Sequence, residues 1–491
     1  MLYLVKLFPE ITIKSRPVRR RMTRQLRKNI RAVLVEYDPG ISVSGEWDSI
    51  EVETTQSEPS LLARIRERLA ATPGISLFQE VVKYDLPDFE GILELAQAHY
   101  GEQLPGRTFA VRCKRTGRHD FRSVDVERYV GAGLNEAYDS ARVQLKGPDV
   151  TVAMEIRHES LYIVESVSRG LGGFPLGSQD AVLSLISGGF DSSVSSYLCI
   201  RRGLQTHYCF FNLGGRAHEL AVKEVALYLW MKFHSSHRVK FVTVPFEEVV
   251  AEILRRVDNA QMGVVLKRAM LRAASRVAAS LDIDALVTGE SVAQVSSQTL
   301  TNLAVIDAAT DTLVLRPLAT SDKQEIIDCA RKIGTEEFSR NIPEYCAVIS
   351  RNPTTRARPE RVAREEARLA PDLIDEAVAN ARYQLITEVM DAAESMPAPV
   401  EVVASADANA TVIDIRHPDE IELSPFESTP EAAGEVLAIP FYELRSGMDR
   451  FERDSRLLLY CERGMMSRLH AAHLKDQGYT NVAVLDPAHP L

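Results

Sequence analysis

The spacing of apolar positions changes character along the chain. Residues 2–7 form a short apolar run that predicts a strand. Residues 41–43 and 50–54 alternate and predict two more, while 60–70 keeps a helical period. Residues 1–75 therefore read as a small α+β unit of ferredoxin-like outline. From 76 to 175, strand signals at 108–112 and 161–167 surround a helical stretch at 124–137, a second small α+β unit. From 176 to 395 the two periods alternate. Residues 182–186, 207–212, 239–244 and 285–288 are β-rich, and 193–202, 219–233 and 267–281 are helical. That alternation predicts a parallel sheet with helices on both faces. Ser321-Asp322-Lys323-Gln324 reads as a capping box opening another helix. Met396-Pro397-Ala398-Pro399 reads as a linker. Residues 401–491 then form a compact α/β unit, with strands at 411–415 and 457–460 and a helix at 467–474.

Length and composition fit this multidomain outline. A chain of 491 residues holds about three domains at roughly 150 residues each. Its 45% hydrophobic and 26% charged content is that of ordinary globular proteins and excludes fibrous or disordered classes. No apolar run approaches the roughly 18 residues of a membrane helix, and the N-terminus shows no secretory pattern. Six cysteines without a Cys-x-x-Cys pair predict a reducing, cytoplasmic setting and no zinc knuckle.

Charge changes the picture at the two ends. The net charge is −10, yet residues 1–75 carry 13 Lys+Arg against 9 Asp+Glu, and residues 401–491 carry 8 against 16. Lys14, Arg16, Arg19, Arg20, Arg21, Arg24, Arg27, Lys28 and Arg31 follow one another with no acid between them. Helical spacing gathers part of this run on one face. A solvated helix face is one reading; a surface for a phosphate backbone is the other, favoured because nothing in the run compensates the charge.

Two loops carry candidate chemistry. Leu185-Ile186-Ser187-Gly188-Gly189-Phe190-Asp191-Ser192-Ser193 lies between a buried strand and a helix. Its glycines allow backbone N–H groups close to an anion, its serines add hydroxyls, and the helix that follows supplies a positive end. No Gly-Lys-Ser/Thr follows, so this phosphate cradle is not a Walker A loop. In the second loop, a strand delivers Cys461 to Tyr460-Cys461-Glu462-Arg463-Gly464-Met465-Met466-Ser467-Arg468, just before a helix. Such positions lower a thiol pKa from ~8.5 to about 3.5–7.5 and suit a thiolate or persulfide. Cys346, in Pro343-Glu344-Tyr345-Cys346, reads from its own context as structural. Cys113, Cys199, Cys209 and Cys329 lie in apolar patterns and read as small buried hydrophobes.

The Ser-Gly-Gly-x-Asp-Ser loop resembles the PP-loop of ATP pyrophosphatases. The likeness extends to residues 10–15, 172–177, 262–268 and 288–302. Together these resemble the tRNA sulfurtransferases, the tRNA 4-thiouridine synthases, over essentially the whole chain. The resemblance implies a ferredoxin-like domain (1–75), a THUMP domain binding tRNA (76–175), a parallel-sheet PP-loop domain (176–395) and a rhodanese-like domain (401–491). It implies ATP contacts at Leu185, Ile186, Lys267, Gly289 and Gln298, beside Ser187, Gly188, Gly189 and Ser192 of the cradle. Asp191 and Lys323 match positions implicated in catalysis, with Asp191 able to hold Mg²⁺; from sequence alone Lys323 is equally a surface residue of a first helical turn. Cys461 would carry a persulfide and Cys346 would resolve it. Cys-x-x-Gly-x-x-Ser-Arg resembles a rhodanese loop, and Asp414-x-Arg416 that fold's structural Asp-x-Arg.

The activity so implied is ATP-dependent thiolation of tRNA uridine 8, without a permanent prosthetic group. Implied partners are tRNA, a cysteine desulfurase and a small sulfur carrier protein of thiamin thiazole synthesis, with a homodimer open and no membrane. A methyltransferase would need another type of Gly-rich loop, and an amide-forming ligase would leave the basic run and Cys461 idle. A sulfur relay acting in thiazole synthesis alone is the main alternative.

Overall fold

The computed structural model describes residues 1–45, 49–213, 215–340 and 352–388. Of the remainder it describes 400–406, 410–416, 418–426, 435–440, 443–452, 455–462, 464–476 and 478–486. The chain divides into two units, Met1–Pro175 and Leu176–Leu491. Cys346 and the 396–399 linker lie outside the described residues.

The first unit is built on one eight-stranded sheet rather than two separate ones. Its strands are β1 (Leu2–Leu7), β2 (Ser42–Ser44), β3 (Ser49–Glu53), β4 (Ile75–Asp85), β5 (Thr108–Thr116), β6 (Arg142–Val143), β7 (Val150–Arg157) and β8 (Ser160–Arg169), in the order β2-β3-β1-β4-β8-β7-β5-β6. β4 pairs antiparallel with β1 on one side and β8 on the other. The two α+β halves foreseen from the sequence are thus joined edge to edge. Two large apolar clusters lie under the unit's helices, and a smaller one of Leu4, Val81, Tyr162 and Val164 lies among the strands. Helix Arg16–Leu34 packs Met22, Leu26, Ile30 and Val33 on one half, together with Ile65 and Leu69. Helix Ser123–Ala137 packs Val126, Val130 and Leu134 on the other, together with Ile92 and Ala96. Polar residues cross the seam. Lys6 of β1 meets the buried Glu155 of β7 at 2.6 Å, and Tyr162 of β8 donates to Glu51 of β3 at 2.9 Å. Burial pushes Lys6 down from the ordinary lysine range, although Glu155 opposes this. Burial also pushes against ionisation of Glu155, yet Lys6 and Arg157 hold it below the usual carboxylate range.

The second unit contains two sheets. The larger has the order β13-β12-β9-β10-β11-β14, with β9 (Ala181–Leu185), β10 (Gln205–Asn212), β11 (Lys240–Pro245), β12 (Ala285–Val287), β13 (Leu313–Leu315) and β14 (Arg382–Leu385). All its pairs are parallel except β11–β14. Continuous burial of Tyr208, Cys209, Phe210 and Phe211 marks β10 as a strand covered on both faces. The smaller sheet is all parallel, ordered β15-β19-β18-β16-β17, with β15 (Val402–Val403), β16 (Thr411–Asp414), β17 (Glu435–Ala438), β18 (Leu457–Tyr460) and β19 (Val482–Leu485). Helix Met465–Asp476 packs on helix Gly215–Leu229, where His470 Nδ1 lies 3.8 Å from Glu224 Oε1. The capping box at 321–324 sits one residue later than the sequence suggests. Asp322 is the N-cap and Glu325 its reciprocal partner, so Lys323 is the first residue of helix Lys323–Ile333.

Candidate functional site: a phosphate-loop cavity and a cysteine loop

β9 ends at Leu185 and, after four intervening residues, helix Phe190–Arg201 begins. Gly188 turns the chain between them at φ +81°, a left-handed conformation that glycine adopts without strain. The loop is braced from inside. Ser192 Oγ accepts from Ser187 N (3.1 Å) and Ser187 Oγ (3.2 Å), and donates to the Gly189 carbonyl (3.1 Å). Ser193 Oγ donates to the Phe190 carbonyl at 2.9 Å. With these hydroxyls and the Ile186 and Ser187 N–H groups occupied, the backbone N–H groups that follow, leading into the helix, are what the loop presents to an anion. From a distant part of the chain, Ser339 Oγ donates to the Gly188 carbonyl at 2.9 Å.

The loop floors a cavity of about 460 Å³, within the range of small-molecule sites. Leu185, Ile186, Ser187, Gly189, Asp191, Ser192, Lys267, Gly289 and Gln298 line it; Gly188 and Lys323 do not. Lys323 instead reaches the rim, its Nζ 3.0 Å from Asp191 Oδ1 and over the Phe190 ring. Lys267 Nζ donates to Glu290 Oε1 at 2.8 Å. Glu290 is buried and also accepts from Arg316 and Thr288. Burial works against its ionised form, but Lys267 and Arg316 prevail and hold it below the ordinary carboxylate range. Gly289 lies against the loop: a Cβ there would sit 2.5 Å from the Asp191 carbonyl carbon. Gln298 is buried with an Oε1 that has no hydrogen-bond partner among the described residues.

Sequence reasoning missed three residues here. Glu290 adjoins Gly289 but gave no separate signal. Gln294 donates to Asp191 Oδ2 at 3.0 Å. His218 lines the cavity edge-on to Phe210, with burial pushing it down from the imidazole range and a Ser187 backbone contact opposing that. Helical spacing in 215–229 hides its place at the wall.

Mg²⁺ is bound in nucleotide sites by one or two carboxylates together with phosphates and water. Asp191 supplies one such carboxylate at the cradle, which fits that mode. No cluster of three or more His, Cys, Asp or Glu suited to a metal occurs among the described residues.

Cys461 lies at the end of β18 and is buried. Its sulfur accepts from Ser467 N at 3.3 Å and lies 3.3 Å from Ser467 Oγ, at the start of helix Met465–Asp476. Gly464, at φ +65°, closes the loop by donating to the Cys461 carbonyl. Asp414 and Arg416 form a buried forked pair beneath Tyr460, the structural role expected of them. Burial pushes the Cys113 and Cys199 thiols up to about 12, and raises Cys209 and Cys329 as well. Pro353 and Thr354 stand in the cavity wall, and Ser339 bonds the Gly188 carbonyl of the loop beneath it.

Comparison with known proteins agrees with this arrangement. Residues 2–78 match the ThiI ferredoxin-like domain, 87–164 the THUMP domain and 177–370 the thiamine biosynthesis protein (ThiI) family. The chain is 55% identical over 488 residues to the tRNA sulfurtransferase of Azotobacter vinelandii, covering 99% of this chain and 100% of that one. It is 54% identical to that of Pseudomonas aeruginosa, with the same coverage. A crystal structure of a 4-thiouridine synthetase–RNA complex with bound ATP aligns with a TM-score of 0.68 and 26% identity, over 78% of this chain and 99% of that one. A phosphate-loop cavity, a basic N-terminal helix and 55% identity over 99% of the chain lead to one conclusion: the chain belongs to the tRNA sulfurtransferase family.

Proposed function

We propose that the chain converts uridine 8 of tRNA to 4-thiouridine, using ATP in the phosphate-loop cavity and sulfur carried on Cys461. The observation that carries this reading is the convergence of the phosphate loop, Asp191 and Lys267 at one cavity, with Lys323 bonded to Asp191 at its rim. A structural relative holding RNA and ATP supports both substrates. Leu185, Ile186, Gly289 and Gln298 would surround the nucleotide, while Lys267 and the loop amides would meet its phosphates. Mg²⁺, held by Asp191 and the phosphates, would neutralise charge as pyrophosphate departs. Lys323 would stabilise charge at the same place.

The chemistry then balances. Uridine O4 attacks the α-phosphorus, N3 loses its proton, and pyrophosphate leaves. The terminal sulfur of a Cys461 persulfide, supplied by a cysteine desulfurase, attacks C4 and AMP leaves. The Cys346 thiolate attacks Cys461 Sγ, breaking the S–S bond to the substrate sulfur and forming a Cys346–Cys461 disulfide. A dithiol reductant returns both thiols. Release of the sulfur as sulfide before attack is the alternative order. The Cys461 cradle and the all-parallel sheet around it support a rhodanese-like carrier, and the packing of helix Met465–Asp476 on Gly215–Leu229 ties it to the nucleotide domain. The same persulfide would serve a small carrier protein in thiazole synthesis.

Pyrophosphate release that requires tRNA, lost in Asp191→Ala while persulfide loading of Cys461 persists, is the expected result. Normal thiolation by Asp191→Ala would sink the assignment. Cys346→Ala should load persulfide yet fail multiple turnover. If pyrophosphate release were absent in the wild type, the sulfur-relay reading would replace this one.

A further inference from the structure

We infer that Gln294 is a positioning residue for Asp191, sharing its carboxylate with Lys323. Gln294 Nε2 donates to Oδ2 at 3.0 Å while Lys323 Nζ donates to Oδ1 at 3.0 Å, so each oxygen has one donor. A carboxylate only accepts, so this contact fixes the amide with its nitrogen towards Asp191. The amide oxygen is buried without a hydrogen-bond partner among the described residues, and Gln294 lines the cavity. An unsatisfied buried acceptor is costly and occurs where function requires it or a ligand completes it.

The backbone independently marks this position. Ala293 holds φ +67°, a left-handed conformation that disfavours any side chain. The Ala293 N–H to Gln298 carbonyl bond (2.9 Å) pins that turn. The turn aims Gln294 at a residue 103 positions away in sequence. Asp191 is thereby braced from two chain segments, 288–298 and the first turn of helix Lys323–Ile333, before any substrate arrives. A carboxylate placed in this way meets a phosphate-bound cation without reorganising, and groups behind the reacting ones usually do this work.

This inference rests on the proposed role of Asp191, and the test separates the two. Gln294→Met, Gln294→Ala and Gln294→Glu are compared in the full-length protein, by tRNA-dependent pyrophosphate release and by calorimetric ATP binding. Met keeps the volume and loses the donor; Glu keeps the shape and turns the donor into a repelling acceptor. Positioning gives a kcat loss of about 10–100-fold in Met and Ala, a larger loss in Glu, and ATP affinity within threefold. A space-filling role gives the reverse order, with Glu or Met near wild type and Ala worst; that result overturns the inference. Parallel loss of kcat and ATP affinity also overturns it, because Gln294 would then only bind nucleotide. Inactive Asp191→Ala with normal Gln294 variants refutes the inference alone, whereas active Asp191→Ala removes the reading beneath it. Thermal melts of all variants confirm that a folded protein is compared.

Discussion

Gly289 shows how little room the site has. Its missing side chain lets the backbone lie against the first turn of helix Phe190–Arg201, where a methyl would fall 2.5 Å from the Asp191 carbonyl carbon and 2.8 Å from Ser192 N. Gly289→Ala should therefore displace that turn, costing about 1–3 kcal/mol by overpacking and weakening ATP binding; calorimetry and a melting curve check both. Near-native values would mean that the turn yields freely. His234 bears on stability rather than on binding. It is fully buried, and neither ring nitrogen has a hydrogen-bond partner among the described residues. Burial, then His237 and His207, hold it well below the imidazole value of 6.5, and burial holds His207 at about 4. These rings stay neutral in the fold but take up protons in the unfolded chain below pH 6.5. Stability is therefore full above pH 6.5 and declines as pH falls toward 4. His234→Leu should flatten the fall of melting temperature between pH 7.5 and 4.5, and an unchanged slope would count against this account. The cradle around Asp191 was legible in the sequence because strand, glycines and helix are contiguous. Its partners carry no local pattern: Lys323 came only through the resemblance and Gln294 not at all, since they lie 132 and 103 residues away. No local pattern encodes a tertiary approach of that kind.

Helix Arg16–Leu34 divides its run of cations by burial. Met22, Leu26, Ile30 and Val33 point inward at helical spacing. Arg24, Lys28 and Arg31 are exposed, but Arg27 is half-buried and donates to the Gly45 carbonyl at 3.2 Å. The proposed tRNA contacts and the folding contact can thus be tested separately within one element. Replacing Arg24, Lys28 and Arg31 by Ala should weaken tRNA binding and reduce its salt dependence by about 0.7–0.9 per lost phosphate contact, with ATP affinity intact. Filter binding at several salt concentrations measures this, and an unaltered slope would make the run a solvated face. Arg27→Ala should instead lower the melting temperature. The helix and its basic face follow from period and charge alone. The inward turn of Arg27 does not, because it depends on where Gly45 is brought by the fold. The shift of the capping box to Asp322 and Glu325 has the same character: neighbouring polar residues offer equivalent patterns, and geometry selects one.

At the scale of the molecule, the main departure from the sequence picture is the joining of two α+β halves through β4. The period of each strand was readable, but edge-to-edge pairing depends on partners such as Lys6 and Glu155, 149 residues apart. Residues 1–175 hold both large clusters and all eight strands of that sheet. Produced alone, this segment should unfold in a single cooperative transition by calorimetry; two separated transitions would show the halves to be independent. β4 itself has eleven residues, and both of its edges are occupied. Its amide hydrogens therefore have no route to solvent through fraying of either half. In deuterated water, β4 should be the last strand of this segment to exchange, at a rate set by its global unfolding, while the edge strands β2 and β6 exchange early through local opening.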